Sequence, residues 1–149
     1  MRTISVLSLV AALLLVCAPL GAQQLTWYDV PVAYGPAGEF ACVTRNQPFL
    51  GPIIVCNPQA LVQLPQAAQT FLLAHEHGHV YQMVNGQSWS TNAEVDADCY
   101  AAKYLAANDP ETLKAVLLWM YGALGQGGVD ILHASGAQTA DWVRRCAGW

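Results

Sequence analysis

The chain has 149 residues, six basic and ten acidic side chains, a formal net charge of −4 and a hydrophobic content of 54%. That length suits one compact domain and leaves no room for a second of ordinary size. The acidic balance argues against nucleic acid and anionic membrane surfaces as partners.

The opening segment, MRTISVLSLVAALLLVCAPLGA, has Arg2 as a short basic start, an apolar run from Val6 to Val16 and a small residue at Ala22. These are the parts of a secretory leader over residues 1–22, whose cleavage leaves a single domain over 23–149. The run is short for a bilayer span and Gln23 and Gln24 follow without a basic cluster, so no membrane span is expected after cleavage. The expected location is secreted or periplasmic. Four cysteines then remain: Cys42, Cys56, Cys99 and Cys146. An even number in an exported chain predicts two disulfides, for which three pairings exist. The expected pairs are Cys42 with Cys56, joining neighbouring extended segments, and Cys99 with Cys146, tying the last helix to the middle of the fold. No C-x-x-C spacing is present, which argues against cysteine as a metal ligand.

Between Leu25 and Cys56 the sequence is rich in Val, Ile, Tyr, Phe, Gly and Pro, and strands are predicted near TWYDVPVAY, EFACVTR and PIIVCN. From Pro65 onward the pattern becomes helical. A first helix starts between Pro65 and Ala67 and stops at Asn85 and Gly86, where glycine can take a left-handed conformation. A second follows Thr91 or Asn92 as cap and runs through AEVDADCYAAKYLAA. Asp109 and Pro110 then supply a cap and a first-turn proline for a third, PETLKAVLLWMYGAL, and a last helix spans about Ala137 to Cys146. In the third, the stripe of Leu113, Leu117, Leu118 and Tyr121 is expected to be core. The order is that of an α+β fold, with a small N-terminal antiparallel or mixed sheet followed by about four helices.

The chemistry is concentrated at HEHGH, residues 75–79, which holds three of the four histidines. On a helix His75 and His79 lie one above the other on one face and can share a metal ion. Glu76, rotated by about 100°, stands beside that ion, in position to take a proton from a water held there. This is the H-E-x-x-H arrangement of zinc peptidases. A third ligand is required. A histidine six residues after His79 would supply it, but that position is Asn85. The second predicted helix offers Glu94 and Asp98, again four apart. Glu94 completes a two-histidine, one-carboxylate site, and Asp98 is placed to accept the ring N–H of His75 and fix its orientation. Asp96 falls about 200° round from Glu94 and faces solvent.

With these residues in hand, HEHGHV followed by EVDADCYAA resembles the paired motifs of the gluzincin metallopeptidases, and most of all their compact, minigluzincin-like members. The likeness covers about residues 52–105. It implies a zincin-like fold, one zinc ion on His75, His79 and Glu94, Glu76 as general base, and a peptide or protein substrate. It also implies an edge strand along the cleft that pairs with extended substrate, a role that GPIIVC, residues 51–56, would fill. Family members often stabilise the oxyanion with a distal His, Tyr or Arg. His133 is the candidate here, with Tyr100, Tyr104 and Tyr121 as rivals.

Simpler readings stand beside these. Glu94 has capping-box spacing from Thr91, Asp98 can also be read as an exposed helix carboxylate, and His77 points away from the ligand face to line the cleft or the surface. The whole chain could also serve as a zinc-bound peptide-binding or chaperone-like module, as a zinc amidase acting on cell-wall material, or as a structural domain stapled by disulfides. No feature sets the oligomeric state, and a monomer suffices.

Overall fold

A computed structural model describes residues 29–38, 40–87, 92–123 and 136–149. The predicted leader, Thr91 and His133 lie outside these residues. Strands β1 (Val32–Tyr34), β2 (Cys42–Gln47) and β3 (Gly51–Cys56) form a mixed sheet. Helices α1 (Pro58–Leu61), α2 (Gln66–Val84), α3 (Ala93–Asn108), α4 (Pro110–Ala123) and α5 (Gly136–Cys146) follow. This is the expected small α+β fold.

The sheet order is β1-β3-β2, with β3 parallel to β1 and antiparallel to β2. Residues 51–56 are therefore the central strand and not the open edge that the resemblance implied. Among the described residues both sides of β3 are occupied, and β1 and the hairpin partner β2 lie at the two edges. Pro52 has no N–H to give, so its pairing with Asn46 is a pair without mutual hydrogen bonds. Alternation along the ladder then makes Thr44 with Ile54, and Cys42 with Cys56, pairs of the same kind. Two bonds agree with this phase: Asn57 N–H donates to the Ala41 carbonyl at 2.8 Å, and Ile54 N–H turns to Pro31 at 3.0 Å. The main-chain groups of Cys42, Thr44 and Asn46 consequently point away from β3, along the outer edge of β2.

The helices begin and end where local chemistry directs. Asn57 accepts from Gln59 N–H at 3.0 Å with Pro58 in the first turn, which makes α1, a helix not anticipated although its Asn-Pro start is a known signal. Asp109 caps α4 through Thr112 N–H at 3.1 Å. At the end of α2, Gly86 takes φ +65°, Gly86 N–H donates to Met83 and Gln87 N–H reaches back to the Gln82 carbonyl, a Schellman closure. In α4 the buried stripe is Leu113, Val116, Leu117 and Met120, at the i, i+3, i+4, i+7 positions. Leu118 and Tyr121, expected in the core, are 74% and 41% exposed because they fall off that stripe.

Helix α2 belongs to two cores. Leu72 and Val80 pack on Cys42, Ile54 and Cys56 of the sheet, whereas Phe71 and Ala74 join α3, α4 and α5 residues such as Leu105, Leu113 and Val143. Every residue from Ala74 to Val80 is buried as a result. A helix covered all round has no solvent face, so His77, at 1% exposure, sits in the interior and not at the cleft or surface. Burial pushes its imidazole down to about 4, which keeps it neutral.

The two disulfides are the expected ones, Cys42–Cys56 across β2 and β3 and Cys99–Cys146 between α3 and α5. Among the described residues no helix is long and apolar enough to cross a membrane. The bridges close loops with sequence separations of 14 and 47 residues. In the chain-entropy account, losing the shorter bridge costs roughly 3 kcal/mol and losing the longer roughly 4 kcal/mol. Guanidinium unfolding of the paired Cys→Ser variants is expected to show both losses, the larger for Cys99 with Cys146.

Candidate metal centre

Helices α2 and α3 bring the predicted ligands together because they touch backbone to backbone. A Cβ added at Gly78 would lie 2.8 Å from the Ala97 Cα and 3.1 Å from its carbonyl oxygen. Only glycine on one helix and a small residue on the other permit this approach. The requirement explains Gly78 between Glu76 and His79, and Ala97 between Glu94 and Asp98. A Gly78→Ala variant must push α3 outward, at a cost of about 1–3 kcal/mol for overpacking. It is expected to lower both the melting temperature and the affinity for metal, read by thermal melts and metal titration.

The contact sets the geometry of the site. His75 and His79 stand one turn apart with ring centroids at 4.6 Å and planes nearly perpendicular. Glu94 Oε2 lies 3.2 Å from His75 Nε2 and 3.4 Å from His79 Nε2. Ligand atoms of all three residues fall within 4.8 Å of one another, so the group could hold a metal ion. Behind the rings, His75 Nδ1 faces Asp98 Oδ1 at 2.8 Å and His79 Nδ1 faces Gln82 Oε1 at 2.9 Å. Gln82 in turn donates from Nε2 to the Ala93 carbonyl at 2.7 Å. Asp98 is buried against His75, which disposes of the exposed-carboxylate reading. Glu94 turns its carboxylate to the two histidines, and its capping-box partner Thr91 is outside the described residues. Asp96 is exposed, as expected.

Glu76 is buried beside the ligands and is held from the sheet. Thr44 Oγ1 donates to Glu76 Oε2 at 2.7 Å and lies 3.0 Å from the Glu76 carbonyl oxygen. Thr44 itself is buried. Sequence reasoning missed both Thr44 and Gln82. Thr44 lies 32 positions from its partner on another element, which no local pattern reveals. Gln82 had a readable signal, since a side chain three residues after His79 shares its helix face.

The donor set fits a cation. With the Nδ1 atoms bound to acceptors behind the rings, both Nε2 lone pairs and an anionic oxygen converge on one point. Three acceptors that close need a metal ion or protons between them. Without a metal ion, His75 is held toward its protonated form. Burial disfavours charge on His75, yet its bonds to Asp98 and Glu94 and the charges of Asp98 and Glu76 outweigh that and raise it to about 10. Hydrogen bonds from His75 and His79 hold Glu94 well below the usual carboxylate range, against the opposing effect of partial burial.

His133 is outside the described residues. Tyr100 is buried with its ring 5.7 Å from that of Tyr81, and Tyr121 donates to Asp141 Oδ1 at 2.5 Å, linking α4 to α5. Comparison of the chain with protein-family models, with curated proteins and with solved structures finds no match in any of the three.

Proposed function

We propose that this protein is an exported zinc metallopeptidase of gluzincin type. The observation that carries the reading is the convergence of His75 Nε2, His79 Nε2 and Glu94 Oε2, with a buried carboxylate, Glu76, on the neighbouring helical position. Two imidazoles and one carboxylate with an open fourth position are the donor set of catalytic zinc. Export is supported by the leader-like segment and by the two disulfides.

A zinc ion held by His75, His79 and Glu94 would supply Lewis-acid chemistry, polarising a substrate carbonyl and activating water. The chain's own residues do the rest. Asp98 and Gln82 hold the imidazoles in place. Thr44 holds the Glu76 carboxylate through Oε2, and that carboxylate would take the proton from the attacking water and later deliver it to the leaving amine. The outer edge of β2, which carries Thr44, offers its main-chain groups to an extended peptide by strand addition.

The test is incubation of the zinc-loaded mature protein with a mixed peptide library and identification of products by mass spectrometry. Cleavage by the wild type is the expected result. Intact peptides in the presence of bound zinc would overturn the peptidase reading in favour of a module that binds without cutting.

A further inference from the structure

We infer that Gln82 is a positioning residue of the metal centre, which selects the ring nitrogen that His79 presents to the ligand cluster and anchors the first turn of α3 beside Glu94. The inference rests on the metal centre and not on peptide hydrolysis. It follows from a chain of hydrogen bonds in which each partner has only one option. The Ala93 carbonyl can only accept, so the end of the Gln82 amide 2.7 Å from it must be the NH2 group. The other end is then the carbonyl oxygen, which also can only accept. Because that oxygen lies 2.9 Å from His79 Nδ1, the ring must carry its proton on Nδ1. A neutral imidazole has one N–H, so Nε2 is the nitrogen left to present its lone pair to a metal ion beside Glu94. The reversed amide would set two acceptors against each other at Ala93.

Two further features suit Gln82 to this work. Its backbone is fixed by the Schellman closure, in which its carbonyl accepts from Gln87 N–H at 2.9 Å, so the side chain projects from a pinned position. Its amide is neutral. Glu76, Glu94 and Asp98 already crowd the centre with carboxylates, and an amide accepts the His79 proton without adding a fourth negative charge. Ala93 immediately precedes Glu94, so one side chain governs the orientation of one ligand and the placement of another.

The test compares wild type with Gln82→Met and Gln82→Glu, by zinc competition against a chromophoric chelator and by two-bond 1H–15N correlation spectra of the histidine rings. Gln82→Met is expected to lose roughly 10–100-fold in zinc affinity and to lose the uniform Nδ1–H tautomer at His79, with the His75 signals retained. Gln82→Glu keeps an acceptor for Nδ1–H and discards the donor to Ala93, so the tautomer is expected to survive in it. Should Gln82→Met not fold, loss of the tautomer in Gln82→Glu overturns the assignment and its retention with weakened zinc binding supports it. Wild-type affinity and tautomer in Gln82→Met overturn the role of Gln82 alone. A wild-type protein that binds no zinc overturns the metal centre itself, which is a different and separable result.

Discussion

Glu76→Gln is expected to bind zinc as the wild type does and to lose peptide hydrolysis by about 10²–10⁴-fold, the usual worth of a positioned general base. The substitution keeps shape and burial. Thr44 can still donate to the amide oxygen, so the bond that ties the sheet to α2 survives and the fold has no reason to change. An amide, however, is far too weak a base to take a proton from water. The loss should fall on kcat with KM little altered, because Glu76 is not asked to bind substrate. The measurement is kcat and KM on a peptide from the library screen, alongside zinc content by atomic absorption. Activity equal to wild type would remove Glu76 from the mechanism.

Glu94→Ala is expected to have the second large effect, on metal affinity and not on the fold. Glu94 is the one ligand with substantial exposure, its side chain being 43% accessible, so truncation leaves no cavity in either core. It does leave two imidazoles without the anionic oxygen that faces both of them. The fall in affinity should exceed the roughly 10–100-fold that removal of an outer partner costs, and circular dichroism of the metal-free variant should match that of the wild type. Full stoichiometric zinc in Glu94→Ala at micromolar protein would reject it as a ligand.

These residues could be read from the sequence because their relations are local. His75 with His79, and Glu94 with Asp98, share helix faces by spacing alone, and two such pairs constrain each other. The Cys42–Cys56 pair followed from adjacency of segments, and Cys99–Cys146 from the need to tie the last helix to the middle of the fold. What lay beyond reach depends on how elements meet. That β3 is central and β2 at an edge is a matter of sheet order, to which residues 51–56 offer no clue except Pro52, a residue ill suited to a strand bonded along its whole length. The interior placement of His77 reflects a helix that serves two cores at once, a state in which apolar periodicity fades and faces cannot be assigned. Thr44 looked like any threonine in a strand. Its partnership with Glu76 exists only once the sheet lies on α2.

The Cys99–Cys146 bridge ties α5 to the helix that carries Glu94 and Asp98. Cys99 directly follows Asp98 and sits five residues beyond Glu94, so the crosslink grips α3 within a turn or so of both carboxylates. Thiol reductants would then loosen the candidate metal centre as well as the fold, by freeing the helix that lies against Gly78. A chain kept reduced would carry His75, His79 and Glu94 yet hold them less firmly against one another.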